Sequence, residues 1–459
     1  MKRLLLGANY ALFFILFTAS LTIRAEQPTG ITFFKGSWKA VLNEAQKQNK
    51  PIFIDIYTTW CGPCKQIARQ AFPDAKVGEK FNANFISYQL DAERGEGAQI
   101  ARKYTVTAYP TSLFVTPNGD LIHRVVGYGG IQAMLDEADK AITASADHNP
   151  LSALEKHYAS NKNNPAFVAL YLTKRSQVGT PDPEALESYM QLTPDADWNT
   201  AENLIILSGN IGSTNSKAYD ILIQAIPKLG LDQAKMALVR PIISGLQRAE
   251  RKDYQKAIQK GDENLLNTML SNRRRLTAVV PIDGNVSADE RKSTYRRTFY
   301  LQTKNLDSYR QLASQEGARL LAIPADSLKA KDEFFLKRFQ QQAAVMPDSA
   351  KQQAGFKQYA ASMQNAETNR IATQLNSLAW DYYQHLSDQA DLRQALVWSA
   401  KSLAYSRSGA NLDTYAHLLS KLGHKAEAIK AQEEVIALVK AEDGDLADYE
   451  QGLAEMKHN

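Results

Sequence analysis

Cysteine is nearly absent: the 459 residues hold two, Cys61 and Cys64. That scarcity excludes a fold stapled by several disulfides, so the bulk of the chain must hold together by packing. A closed zinc site needs four ligands, and neither a second Cys pair nor a His-rich stretch stands near the first. No metal is expected, and His123, the nearest histidine downstream, is expected on an exposed hairpin. Strong charge of one sign is missing too. The formal charge is +5, and Lys2, Arg3 and Arg24 supply three of those charges. The remainder is too weakly biased to argue for nucleic acid or an anionic surface. The run Arg273-Arg274-Arg275 is read as a solvated helix face or helix end. Beyond the first residues, no apolar run is long enough to cross a bilayer.

The first residues read as an export signal. Lys2 and Arg3 open it, an apolar core follows from Ala11 to Phe17, and cleavage is expected after Ala25. An uncleaved anchor is the alternative, for which the apolar core is short. No membrane contact is expected beyond this segment. With 44% hydrophobic and 22% charged residues, the rest has the composition of two or three soluble domains.

The two cysteines form Trp60-Cys61-Gly62-Pro63-Cys64. A bridge across three residues closes a tiny loop and constrains the unfolded chain little. The pair makes more sense as thiol–disulfide chemistry than as a staple. Around it the chain alternates helix and strand. Ser37 caps a helix that ends at Asn49 and Pro51. Ile52–Tyr57 is apolar at nearly every position, as a strand buried on both faces would be, with Asp55 in an expensive place for a carboxylate. Pro63 suits the first turn of a helix that stops before Pro73. Cys61 then sits at a helix N-terminus, where a thiolate is favoured, and Cys64, one turn in, is expected to be more shielded. A helix at Val77–Asn84, a strand at Phe85–Leu90, a loop at Ala92–Gly97 and a helix at Ala98–Tyr104 come next. A strand at Ser112–Thr116, a turn at Pro117–Asp120, a returning strand at Leu121–Val126 and a helix from Ile131 to about Ser145 complete an α/β sandwich with a mixed sheet.

Taken together, the pentapeptide, the acid six residues before Cys61 and Tyr109-Pro110-Thr111 ahead of a later strand resemble exported members of the thioredoxin family. The resemblance spans about residues 31–147. It implies a thioredoxin-like domain at 26–147, built from βαβ and ββα halves. It also implies roles: Cys61 as nucleophile, Cys64 as resolving cysteine and Asp55 as the acid exchanging the resolving thiol's proton. Tyr109 and Pro110 would form a substrate ledge with a cis-proline, Trp60 would cover the site, and Gly127 would leave room for substrate. Asp55 as a purely structural buried acid stays open. The family's lysine near that acid corresponds here to Ser87, and its helix-kinking proline to Arg69.

From residue 148 the chain reads as all-α. His148-Asn149-Pro150 is a break, and Val280–Asn285 is a loop or subdomain boundary. Leu375–Trp380 is answered by Leu412–His417, and Ala395, Leu396 and Leu403 by Ala428, Ile429 and Ile436. These hairpins, at about 370–440, resemble tetratricopeptide repeats. Trp380, Tyr382, Tyr383, Trp398, Tyr405 and Tyr415 are either helical core or the lining of a peptide groove.

Two functions follow. The first is an exported thiol–disulfide oxidoreductase, of the disulfide-reductase type, periplasmic if bacterial. It would need no cofactor beyond the redox-active Cys61–Cys64 disulfide. It would act on disulfide-bearing proteins and draw electrons from an upstream thiol donor. The second is a helical-repeat scaffold that binds a protein partner and uses the module as a platform. A metal carrier is a third reading and predicts stoichiometric metal in reduced protein.

Overall fold

This computed structural model describes residues 30–146, 150–230, 235–280, 282, 286–352, 354–441 and 444–458. The export signal at 1–25 lies outside them, as do His148 and Asn149 of the expected break and Pro281, Asp283, Gly284 and Asn285 of the expected loop. The chain divides into two compact units, Met1–Ala249 and Glu250–Asn459.

The first unit opens with α1 (Trp38–Gln48), β1 (Ile52–Tyr57), α2 (Gly62–Gln70), α3 (Ala75–Asn84), β2 (Ile86–Asp91), α4 (Gly95–Lys103), β3 (Thr111–Val115), β4 (Leu121–Val126) and α5 (Ile131–Ser145). The sheet order is β2-β1-β3-β4. β1 runs parallel to β2 and antiparallel to β3, and β4 is antiparallel to β3. The sheet is therefore mixed, with a parallel crossover through α2 and α3 and a β3–β4 hairpin leading to α5. The apolar run of β1 has its reason here. Ile52, Ile54 and Ile56 pack with Val41 and Ala45 of α1 and Ile100 of α4. Phe53 points the other way, onto Ile67 of α2, Phe81 of α3 and Met134 of α5. Strand alternation places Asp55 on that second face, the face of the helix that carries Cys64.

Local signals set most boundaries. The Ser37 hydroxyl accepts the Ala40 N–H at 3.3 Å, and Asn49 closes α1 in the left-handed region. Ser37→Ala is expected to cost about 1 kcal/mol of module stability, read as a lower urea midpoint. Asp74 caps α3 by accepting from Lys76 and Val77. α4 begins three residues before the expected Ala98. Gly97 explains this, because a Cβ there would fall 1.9 Å from the Asp91 carbonyl oxygen. Only glycine lets the helix start against the end of β2. The outer edge of β2 is itself covered: Phe33 bridges to Ser87 in parallel, and the Phe34 N–H donates to the Ser87 carbonyl at 2.7 Å.

The same unit continues with α6 (Leu151–Asn161), α7 (Pro165–Gln177), α8 (Pro183–Leu192), α9 (Ala201–Asn210), α10 (Lys217–Leu229) and α11 (Met236–Lys260), inside which the division falls. The second unit holds α12 (Glu263–Val279), α13 (Ala288–Gln302), α14 (Leu306–Leu321), α15 (Ala325–Ala344), α16 (Asp348–Lys351), α17 (Ala354–Ser362), α18 (Ala366–His385), α19 (Gln389–Tyr405), α20 (Gly409–Lys421), α21 (Lys425–Ala441) and α22 (Ala447–His458). Two helix hairpins, α18 with α19 and α20 with α21, stand where the sequence repeats. Their equivalent positions are buried alike: Leu375 and Leu412, Ala379 and Ala416, Ala395 and Ala428. Tyr382 and Trp398 are sealed in the core, which removes them from any groove, while Trp380, Tyr383, Tyr405 and Tyr415 are half-buried.

The run at 273–275 is not one solvated face. Arg273 turns inward, its Nη1 2.5 Å from Glu250 Oε2, while Arg274 and Arg275 are exposed. A carboxylate as deeply buried as Glu250 needs a cation, and Arg273 supplies one.

Candidate functional site

β1 delivers the chain to a buried Thr58, whose carbonyl accepts the Cys61 N–H at 3.3 Å. Cys61 then takes the cap position of α2 with extended backbone, and Pro63 stands in the first turn. Cys61 and Cys64 are joined by a disulfide with an S–S distance of 2.02 Å. The Cys64 N–H donates to Cys61 Sγ at 3.1 Å. The expected difference in shielding is not found. Cys61 is 3% exposed and Cys64 5%, because one turn of helix and one bridge hold both against the module. What separates them is polarity of position. Cys61 alone caps the helix, receives an N–H and faces the positive end of its dipole, which favours its thiolate.

Asp55 is 1% exposed. Across the sheet it lies opposite Ser112 of β3 and Gln89 of β2. Gln89 Nε2 donates to its Oδ2 at 2.9 Å, and its Oδ1 has no partner among the described residues. Burial pushes the carboxyl up to about 6, against the opposing pull of the Gln89 bond. Gln89 was not legible as a site residue. The sequence position compared with the family's lysine, Ser87, pairs instead with Phe53, two residues away from the acid. Parallel register is the signal that identifies Gln89, and it is a long-range property. Gln89→Leu is expected to raise the Asp55 pKa further, measured by carboxyl-carbon titration; an unchanged value would show the bond to be inconsequential.

The remaining expected residues gather around the pair's end of the sheet. The Tyr109–Pro110 peptide is cis. The Gly127 N–H donates to the Pro110 carbonyl at 2.8 Å, with Gly127 at φ 87°, a conformation that favours glycine. Trp60 is 65% exposed, its ring edge-on to Tyr109 with centroids 6.0 Å apart. Its indole N–H donates to Glu93 Oε1 at 3.0 Å. Glu93 is the second residue the sequence did not single out; it sits in a polar turn with no distinguishing pattern. His123 is not an exposed hairpin residue. Its side chain is 13% exposed and lies 2.6 Å from Glu137 of α5, since antiparallel pairing with Phe114 turns it onto the helix-covered face. Among the described residues, no group of three or more His, Cys, Asp or Glu is placed to hold a metal ion.

With this geometry in place, comparison with known proteins is informative. Residues 38–142 match the family model described as thioredoxin-like domain. The chain is 43% identical over 86 residues to thioredoxin of Echinococcus granulosus, covering 19% of this chain and 74% of that one. It is 38% identical over 98 residues to thioredoxin-1 of Saccharomyces cerevisiae, covering 21% and 85%. It is also 38% identical over 88 residues to the thiol:disulfide interchange protein DsbD of Yersinia pestis, covering 18% of this chain but only 15% of that protein's length. Two whole thioredoxins are thus matched over most of their length, on the segment that carries the Cys-x-x-Cys pair, and the chain belongs to the thioredoxin family of disulfide oxidoreductases.

Proposed function

We propose that the protein is an exported thiol–disulfide oxidoreductase that works as a disulfide reductase on protein substrates. The observation that carries the reading is the Cys61–Cys64 disulfide at the N-terminus of α2. In the reduced form, the Cys61 thiolate attacks one sulfur of a substrate disulfide. A mixed disulfide forms and the other substrate sulfur leaves as a thiolate, which takes up a proton. Cys64 gives its proton to the Asp55 carboxylate and attacks Cys61 Sγ. The Cys61–Cys64 bond re-forms and the second substrate sulfur departs, so two electrons have passed to the substrate. A carboxyl whose pKa lies at about 6 takes and returns a proton near neutrality. An upstream thiol donor reduces the pair for the next cycle.

Trp60, Tyr109, Pro110 and Gly127 are proposed as the substrate-binding rim. Export follows from the reading of residues 1–25, and in a bacterium the location would be the periplasm. The Yersinia relative's name describes interchange of the same kind. The helical remainder is proposed to be tetratricopeptide-like in its last hairpins and to engage a protein partner. Gly62-Pro63 between the cysteines resembles reducing thioredoxins. The test is equilibration of the pair in glutathione buffers of graded ratio. A midpoint near about −270 mV is expected, and one near about −120 mV would overturn the reductase direction.

A further inference from the structure

The second unit contains a cleft of its own. α12 and α13 leave about 440 Å³ between them. Asn267, Ser271, Arg274 and Thr277 line it from α12, and Lys292 and Arg296 from α13. Leu270 of α12 and Ala288 of α13 join the lining, so polar and apolar groups share it. Two neighbouring helices ordinarily close such a gap with an apolar stripe. Here hydroxyls, an amide and cations stand beside the apolar Leu270 and Ala288.

The cations are of two kinds. Arg273 and Arg296 are already held. Arg273 pairs with Glu250 and lies over the Tyr295 ring at 5.4 Å, and Arg296 bonds Asn267 and lies 3.7 Å from Glu263. They form a fixed wall. Arg274 and Lys292 are exposed and have no acidic partner among the described residues. One carboxylate, Asp289, also borders the cleft. On this lining the cations outnumber the carboxylates. The Thr277 hydroxyl is spent on the Arg274 carbonyl, but the guanidinium and ammonium donors bordering the open space suit an oxygen anion with several acceptors.

We propose that the cleft between α12 and α13 is a binding site for a small, multiply charged oxyanion, a phosphate ester or a polycarboxylate. The full-length oxidised chain would be titrated calorimetrically at low salt with pyrophosphate and, separately, with citrate. Saturable binding at one site per chain is expected for at least one of them, and the stronger of the two identifies the source. The double variant R274Q/K292Q should weaken it by about tenfold or more. Both side chains are exposed, so the fold should survive, which circular dichroism verifies. R275Q removes the same charge from the same helix outside the cleft and should leave binding unchanged. Absence of binding by either anion, equal loss in R275Q, or full binding by the double variant would each overturn the proposal.

Discussion

Cys61→Ser abolishes reduction of a protein disulfide, and Cys64→Ala stops the reaction halfway. The two outcomes differ because the two sulfurs stand differently on α2. Cys61 caps the helix and receives the Cys64 N–H at 3.1 Å, so the serine variant lacks the group that attacks. The alanine variant keeps that group and lacks only the sulfur that resolves. Mixed disulfides between Cys61 and substrates should therefore accumulate, visible as covalent complexes that reducing agent dissolves. Identifying the captured proteins names the substrates. The experiment also separates enzyme from scaffold. A Cys61→Ser strain with full cellular function would mean that the helical region does the work and the exchange chemistry is incidental.

Asp55→Asn changes stability in a pH-dependent way, and by more than any surface substitution. Well below pH 3.8 the acid is protonated in both folded and unfolded chains and costs nothing. As pH rises from 3.8, the unfolded chain ionises first while the folded chain holds its proton up to about 6. Above that, folding must bury a carboxylate that has one Gln89 bond and an unpartnered Oδ1. Stability of the parent falls through this window and then levels. At about 1.4 kcal/mol per pH unit, the total loss is about 3 kcal/mol. The neutral variant escapes it. Urea melts of both oxidised proteins at pH 4 and pH 7.5 should show their difference growing by about that amount in the variant's favour. A difference that stays constant with pH would mean that Asp55 titrates as an ordinary carboxyl. The same substitution should slow turnover and remove the inflection near pH 6 from the rate profile, because the proton acceptor for Cys64 is gone.

How readable these features were depended on the distance over which each is determined. Ser37 and Pro63 act within three residues of themselves, and the helices they start lie where the sequence put them. β1 announced its burial through composition alone. The motif around Cys61 carried the fold of the module and the place of the pair. What stayed hidden was set by partners far along the chain. Gln89 meets Asp55 because two strands share a register, 34 residues apart. Glu93 meets Trp60 across 33. His123 is covered by a helix that begins only after its own strand ends. Arg273 looked like one of three equal charges until Glu250, 23 residues earlier, claimed it. The early start of α4 depended on a backbone contact at Gly97 that no propensity scale contains. Exposure of the cysteines is likewise a property of the assembled site.

The bridge from Phe33 to Ser87 bears on how these molecules behave in a crowd. A sheet in the order β2-β1-β3-β4 ends in two rows of backbone groups able to recruit a neighbour's strand. The first row is occupied by the chain's own Phe33 and Phe34, which dock on Ser87. The second, along β4, carries His123 and Arg124 and is interrupted by an irregularity in its pairing at Phe114 and Val115. Self-association by edge addition is thus discouraged on both flanks.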